Sequence, residues 1–305
     1  MMKNYQLMIG GFIIGLILLA ALVGPYLPFV DRELSESIVY RDENGWHMPP
    51  YEPSETYPLG SDHRGVDILS KVIVGAKDTL LILLGILVVR YLIAIPLGIG
   101  AYYMKSVEIL LRCYYQVTTS MPPLFFIVVF IGFPMIMFSD VRPLWLILVI
   151  ALTEVGRTGD IIYRTIEEIG KKSFVESGIA SGCTKPKLFM NYYWPFLQSH
   201  LFTNITFDAG RVLFLLAQLG LAGIFVQHTL KSQLSGAYIF QSDSLTWPNL
   251  FMDFEKFMSS MRVHEWIPFT AVGVIAITML GFYLFGEGLQ KFFQSKYKHG
   301  NNQDL

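Results

Sequence analysis

Four ionisable side chains lie within or close to long apolar stretches of this sequence. They are Arg90, Glu154, Asp208 and Arg211. Charged groups cost about 2.5 to 3.5 kcal/mol each in hydrocarbon on insertion scales, so such residues usually face a partner or a water-filled path. Asp208 and Arg211 are i, i+3 neighbours on one helix face, where they could pair locally. The four residues therefore indicate either a polar route for a solute or a structural ion pair, and the sequence favours neither.

No constellation of catalytic residues accompanies these charges. The sequence contains no G-x-x-x-x-G-K-[ST] phosphate loop, no H-E-x-x-H, no C-x-x-C and no G-x-S-x-G. Its six histidines are scattered, and its two cysteines, Cys113 and Cys183, are far apart and lack metal-ligand spacing. We therefore predict a protein that is not an enzyme and has no catalytic residue, cofactor or bound metal. Any ATP hydrolysis that drives it would need separate subunits.

The composition is that of an integral membrane protein. Of the 305 residues, 53% are hydrophobic and 15% are charged, which is too apolar for an ordinary soluble domain, and the net charge of −1 implies no nucleic-acid partner. About 20 apolar residues suffice to cross a bilayer. Six apolar stretches predict an all-α fold with six transmembrane helices, at residues 8–27, 79–103, 115–138, 143–155, 200–225 and 266–285. The Pro122-Pro123 pair predicts a kink in the third span.

A polar, basic segment at residues 171–195, here called the hinge, separates the fourth and fifth spans. Ser173 and Glu176 form an S-x-x-E pattern that predicts a capping box. Gly182 suits the left-handed residue that ends such a helix. Thr184 can then N-cap a second helix, with Pro186 tolerated in its first turn. Two short helices joined so tightly predict a rigid protrusion, which in a membrane protein is suited to docking a partner.

The hinge resembles the EAA loop of bacterial ABC importer permeases. Glu176, Gly182 and Pro195 occupy motif positions, while Ser177 and Gly178 replace the two alanines. In that family the loop is a cytoplasmic coupling helix that sits in a groove of the ATPase subunit. The resemblance thus implies that the ATPase-coupling residues are Glu176, Ser177, Gly178, Gly182, Lys185 and Pro195. The end of the motif is degenerate, because Tyr192 and Trp194 replace the usual Ile and Leu.

Two further segments resemble the C-type permease subunit of dipeptide, oligopeptide and nickel ABC importers. The block before the second span matches at Pro58, Leu59, Gly60, Asp62, Gly65, Asp67, Leu69, Ser70, Gly75 and Ala76. Val66 replaces an arginine in that block. The closing pattern after the sixth span keeps Gly286 and Leu289 and has Glu287 as its acid, but Gln290 replaces an arginine.

The resemblance covers about residues 8 to 295 and implies a type I ABC importer permease fold. Its core would be residues 76–286, containing spans two to six and the hinge. An extracytoplasmic segment at residues 28–75 would precede this core, and a cytoplasmic tail at residues 287–305 would follow it.

The basic residues predict the orientation, since cytoplasmic loops carry an excess of Lys and Arg. Six spans place both termini and the hinge on one side. That side carries Lys3, Lys105, Arg112, Arg157, Arg164, Lys171, Lys172, Lys185, Lys187, Lys291, Lys296 and Lys298. We therefore expect a multi-pass protein of the bacterial inner membrane with residues 1–7, the hinge and the tail in the cytoplasm.

The resemblance implies a permease subunit of an ATP-driven importer that forms a path for peptides or similar small solutes. The implied partners are a second permease subunit, two cytoplasmic ATPase subunits, an extracytoplasmic solute-binding protein and membrane lipid. An ion-coupled secondary carrier and a divergent, non-transporting membrane scaffold are the alternatives. The hinge favours the ATPase-coupled hypothesis over both.

Overall fold

The computed structural model of the chain describes residues 4–37, 39–42, 45–224, 228–232, 238–242, 245–251 and 266–301. This part of the chain is predominantly α-helical, in agreement with the predicted fold class. Its helices are α1 (Tyr5–Val23), α2 (Ile68–Tyr103), α3 (Lys105–Thr119), α4 (Pro123–Ile131), α5 (Pro134–Met137), α6 (Arg142–Gly170), α7 (Ser173–Ala180), α8 (Lys185–Leu188), α9 (Trp194–Leu221) and α10 (Trp266–Asn301).

Shorter elements connect some of these helices. A π-helical turn, Phe189–Tyr193, joins α8 to α9, and 3-10 turns lie at Gly24–Tyr26 and Trp247–Phe251. Two antiparallel hairpins, which the sequence analysis did not predict, lie in the long connections. They pair β1 (Tyr40–Asp42) with β2 (Gly45–His47), and β3 (His228–Ser232) with β4 (Tyr238–Ser242).

Three helical stretches in the described residues are long and apolar enough to cross a membrane: Tyr5–Tyr26, Ile68–Tyr103 and Phe269–Ser295. The number rises to four if the bent pair α3 and α4 forms one span. The predicted fourth and fifth spans lie on α6 and α9, which are 29 and 28 residues long but more polar. Six spans therefore remain a prediction.

The third predicted span is sharply bent. α3 ends at Thr119, α4 begins at Pro123, and the two helices meet at 89°. Proline has no backbone N–H and disfavours helical geometry in the residue before it. Pro122 is accordingly extended, with φ −57° and ψ 137°. The kink predicted at Pro122-Pro123 is confirmed, although α3 begins well before the predicted start of the span.

The chain divides into two compact units. The first contains Met1–Gly10, Leu84–Ala209 and Phe282–Leu305, and it carries the whole hinge. The second contains Gly11–Leu83 and Gly210–Gly281. Each unit is therefore assembled from segments that are distant in sequence.

Glycines bring α2, α3 and α6 into close contact within the first unit. A Cβ added at Gly98 would lie 2.8 Å from the Gly159 carbonyl oxygen and 2.8 Å from Ile162 Cβ. A Cβ at Gly159 would lie 2.9 Å from Leu111 Cδ1. Because lipid tails are as apolar as the helices, close van der Waals packing at small residues is what holds such helices together.

We expect Gly98→Val to destabilise the protein by about 1–3 kcal/mol, because overpacking forces neighbouring side chains and backbone to shift. Thermal unfolding of the purified chain in detergent would measure the effect. Gly273→Val is the control, since it is also a helical glycine but a Cβ there meets nothing within 4 Å. Equal melting temperatures for the two variants would contradict this account of the helix contact.

In the second unit, the 3-10 turn at Trp247–Phe251 is fixed to the start of α2. The Trp247 backbone N–H donates to the Thr79 hydroxyl at 2.9 Å, and its indole Nε1–H donates to the Val72 carbonyl at 2.8 Å. A Cβ at Gly75 would lie 2.1 Å from the Leu245 carbonyl oxygen. Trp247 is 2% exposed, so this turn is buried against the helix, a contact that the sequence analysis did not predict.

The block that resembles the C-type permeases forms the entrance to α2. Asp67 precedes the helix, and its carboxylate accepts the Ser70 backbone N–H at 2.8 Å, as an N-cap does. The Asp62 carboxylate accepts the N–H groups of Arg64 and Val66 and pairs with Lys71. α2 begins at Ile68 and α10 continues to Asn301, so both helices extend past the boundaries predicted at residues 75 and 286.

Candidate functional site

The first helix of the hinge begins differently from the prediction. α7 starts at Ser173, its N-cap is Lys172, and no side chain caps it. The Lys172 carbonyl accepts the backbone N–H groups of Val175 and Glu176, so Ser173 is already inside the helix. The predicted capping box is therefore wrong. Glu176 lies in the first turn and is exposed, where its negative charge still complements the helix dipole.

Gly182 ends α7 as predicted. Its φ is +76°, and a Cβ there would meet nothing within 4 Å. The Cys183 N–H donates to the Gly178 carbonyl at 3.2 Å, and the Gly182 N–H donates to the Ile179 carbonyl at 3.0 Å. These two hydrogen bonds form a Schellman motif. Glycine is required here for its backbone conformation and not for lack of space.

The second helix of the hinge continues into the next long helix. Thr184 is the N-cap of α8, as predicted, but its side chain makes no capping hydrogen bond. Pro195 lies in the first turn of α9 and has no N–H to donate to a carbonyl four residues earlier. The preceding π-helical turn, in which Trp194 N–H donates to the Phe189 carbonyl, accommodates it. One helical rod therefore extends from Lys185 to Leu221.

The two helices of the hinge pack closely against each other. Gly178 is buried, and a Cβ there would lie 2.8 Å from Leu188 Cδ1 and 3.0 Å from Tyr192 Cζ. The Phe174 ring stacks on Phe196 with centroids 4.8 Å apart, and on Tyr192 at 6.5 Å. Tyr192, which departs from the motif in sequence, is thus part of the contact between α7 and the helix that follows it.

The outer side of the hinge combines charged and apolar side chains. Glu176, Ser177 and Lys185 are all exposed. Ile179 on α7 and Met190 in the π-helical turn are also exposed, with 58% and 59% of their surface accessible. These five residues are called the docking surface below. Of the six predicted coupling residues, Glu176, Ser177 and Lys185 belong to this surface. Gly178 is buried below it, Gly182 lies in the turn between α7 and α8, and Pro195 lies in the first turn of α9.

A buried cluster of charges lies elsewhere in the first unit, centred on Asp208. Asp208 is 3% exposed. Its carboxylate accepts hydrogen bonds from Arg157 Nη2 at 2.9 Å and from the Tyr91 hydroxyl at 2.9 Å. Arg157 also donates from Nε to the Glu154 carboxylate at 2.6 Å. The contacts join α2, α6 and α9.

Arg90 completes the cluster. It is fully buried, its Nη1 lies 3.6 Å from the Asp208 carboxylate, and its Nη2 donates to the Ile150 carbonyl at 3.5 Å. Its Nε has no hydrogen-bond partner within the described part of the chain. Two guanidinium groups face two carboxylates, so the cluster is balanced in charge, as buried ions must be.

Three of the four predicted intramembrane charges, Arg90, Glu154 and Asp208, meet in this cluster. Arg211 follows Asp208 by one turn of α9, is exposed and belongs to the second unit. The sequence analysis missed Arg157 and Tyr91, and it counted Arg157 only as a basic residue that indicates orientation. The Glu154-x-x-Arg157 spacing could have identified it, since i, i+3 ion pairs share a helix face.

The cluster connects α2, α6 and α9 through ion pairs and hydrogen bonds. In the residues that the structure describes, no group of three or more His, Cys, Asp or Glu side chains could hold a metal ion. Both cysteines are free thiols.

Comparison with known proteins identifies a family. No curated protein matches the chain. The family described as "binding-protein-dependent transport system inner membrane component" matches residues 91–299, which include the hinge and every residue of the cluster except Arg90. That match covers more than half of the chain. Since the described residues also include helices long and apolar enough to cross a membrane, the chain belongs to this family of ABC importer permeases.

Proposed function

We propose that the chain is the C-type permease subunit of an ATP-driven importer of peptides or similar small solutes. It would form the translocation path with a second permease subunit, and two ATPase subunits would bind its hinge. An extracytoplasmic solute-binding protein would deliver the solute. The observation that carries the proposal is the docking surface, because it is exposed, chemically mixed and held on two tightly packed helices.

The proposed topology has six spans, with α6 and α9 as the fourth and fifth. The more polar character of these two helices is compatible with a position inside a helix bundle, since Arg157 of α6 pairs with Glu154 and with Asp208 of α9. Both termini and the hinge would be cytoplasmic, which the excess of basic residues on that side supports. Residues 28–75 would be outside.

The proposed mechanism is alternating access. Closure of the ATPases on ATP would move the docking surface, and α8 with α9 would carry the movement to Asp208. Because Asp208 is bonded to α2 through Tyr91 and to α6 through Arg157, these helices would shift together or exchange partners. The solute path would thereby open to the other side, and the chain itself would break no covalent bond.

A cysteine at Lys185 tests the topology and the partner. In a background with Cys113 and Cys183 replaced by serine, Lys185→Cys should react with a membrane-impermeant maleimide only in inverted vesicles. It should also cross-link to a co-purified ATPase subunit. Glu36→Cys is the matched control, since Glu36 is exposed in the proposed outer segment and should react only in intact cells. Labelling of Lys185→Cys in intact cells would overturn the proposed orientation.

A further inference from the structure

Arg90 makes fewer hydrogen bonds than a buried arginine normally does. Its side chain is 0% exposed, and neither Nε nor Nη1 has a hydrogen-bond partner within the described part of the chain. The third nitrogen, Nη2, reaches only the Ile150 carbonyl, at 3.5 Å. Buried polar groups in folded proteins are nearly always hydrogen-bonded, because an unpaired donor carries the full cost of leaving water. Two unpaired donors on a buried cation therefore require an explanation.

The Asp208 carboxylate lies just beyond hydrogen-bond distance of one of these donors. Arg90 Nη1 is 3.6 Å from Asp208 Oδ2. A hydrogen bond between a guanidinium nitrogen and a carboxylate is about 2.7–2.9 Å long, so a movement of about 1 Å would complete the bond. The same oxygen already accepts the hydroxyl of Tyr91, the neighbour of Arg90 on α2, at 2.9 Å. One side of the carboxylate is thus already held against α2.

The other carboxylate oxygen of Asp208 makes the contact with α6. Oδ1 accepts a hydrogen bond from Arg157 Nη2 at 2.9 Å. Arg157 has a second carboxylate partner on its own helix, since its Nη2 lies 2.6 Å from Glu154 Oε2. Loss of the Asp208 contact would therefore leave Arg157 paired with Glu154. A buried charge is most costly when it loses every partner, and Arg157 would not lose both.

The four charges can consequently be paired in two ways. In the arrangement that the structure shows, here called the resting arrangement, Arg157 binds both carboxylates and Arg90 only lies near Asp208. In the second, here called the driven arrangement, Arg157 keeps Glu154 and Arg90 binds Asp208. Both arrangements are neutral in charge, and the driven one pairs each cation with one carboxylate. An element with two such arrangements can convert a small shift of one helix into a change of state.

We propose that Asp208 exchanges partners during transport, from Arg157 on α6 to Arg90 on α2, and that Arg90 receives it when α9 moves. The inference rests on the proposed function, in which closure of the ATPases moves α9. It assigns a role to the unpaired guanidinium, which becomes the contact that stabilises the driven arrangement. Since Arg157 holds the resting arrangement and Arg90 the driven one, replacing the two arginines should have opposite effects.

Melting temperatures of the purified chain in mild detergent test the second pairing without any ATPase. Arg157→Gln should lower the melting temperature only in part, because Asp208 can then bind Arg90. Arg90→Gln should lower it little, since the contacts of Arg90 in the structure are long. The double variant should lose more than the sum of the two single losses, because Asp208 then has neither cation. Additive losses would show that Arg90 does not receive Asp208.

ATP hydrolysis and uptake by the reconstituted complex test the direction of the exchange. Arg157→Gln should raise ATP hydrolysis in the absence of solute by about tenfold, as a state populated at about 10% or less becomes the main one. Arg90→Gln should lower both hydrolysis and uptake, because the driven arrangement has lost its contact. Arg90→Lys keeps the cation and should restore part of both activities. If a glutamine variant fails to fold, Arg157→Lys and Arg90→Lys provide the same comparison with smaller effects of the same sign.

Arg164→Gln is the matched control, because it removes an arginine of the same helix that pairs one turn away with Asp160 and is 65% exposed. It should match the wild type in every measurement, since exposed pairs contribute little stability. Changes of the same sign in ATP hydrolysis for Arg157→Gln and Arg90→Gln would overturn the exchange, as would wild-type activity of Arg90→Gln. Failure of the proposed function would instead appear as a wild-type chain that binds no ATPase, and the melting comparison does not depend on that result.

Discussion

Asp208→Ala should destabilise the protein by about 3–5 kcal/mol, the cost of leaving buried charges without their partner. The substitution would leave the buried Arg90 without its carboxylate, leave Arg157 with Glu154 as its remaining carboxylate partner, and remove the acceptor of the Tyr91 hydroxyl. The measurement is the melting temperature in mild detergent together with the fraction of protein that is extracted as a monodisperse species. We expect a large decrease in both.

Two comparisons make the result specific. Glu36→Ala breaks the exposed pair with Arg64, whose side chains are 51% and 43% exposed, and should cost only about 0–1 kcal/mol. The double variant Asp208→Ala with Arg157→Ala removes one charge of each sign and should melt at a higher temperature than Asp208→Ala alone. If Asp208→Ala and Glu36→Ala have the same melting temperature, the charge cluster does not stabilise the contact between the helices.

Gly182→Val should abolish ATP-driven uptake while the protein still inserts and folds. A β-branched residue in the left-handed conformation costs about 1–2 kcal/mol, which is too little to unfold the protein. The cost can be relieved only by changing the angle between α7 and α8, and that change displaces the docking surface. Uptake and ATP hydrolysis by the reconstituted complex would be measured beside membrane content.

Gly223 provides a closely matched control. It has φ +72°, nothing lies within 4 Å of an added Cβ, and it ends α9 with the same pair of Schellman hydrogen bonds. Gly223→Val therefore carries the same backbone penalty away from the hinge and should retain most uptake. Equal loss of uptake in both variants would show that backbone strain alone, and not coupling, explains the defect.

The sequence predicted well the features that local chemistry dictates. The left-handed Gly182, the N-cap position of Thr184 and the break at Pro122-Pro123 each follow from the conformations open to those residues. The predicted capping box was wrong because the first backbone hydrogen bonds of α7 are accepted by the Lys172 carbonyl, one residue before Ser173. The turn that follows Gly170 fixes this starting residue. The pattern of residues 173–176 alone could not show this.

Contacts between segments that are distant in the chain could not be predicted from the sequence. The sequence allowed a local pair of Asp208 with Arg211, and it did not indicate that the Asp208 carboxylate is bound by Arg157 and Tyr91, which come from two other helices. It also did not indicate that Trp247 bonds to α2 across a long separation in the chain. Such pairings depend on which helices meet, and the spacing of residues along one chain does not carry that information.

The unbroken helix from α8 into α9 gives the hinge a long lever arm. Lys185 and Asp208 are about 35 Å apart along the helix at 1.5 Å per residue, so a tilt of about 10° at Lys185 would displace Asp208 by about 6 Å. The Arg157–Asp208 contact of 2.9 Å would not survive this displacement, whereas a tilt of about 1° would leave it intact. The ion pair would therefore hold the helix in place against small thermal rotations. It would break only under the larger rotation that closure of the ATPase subunits would produce.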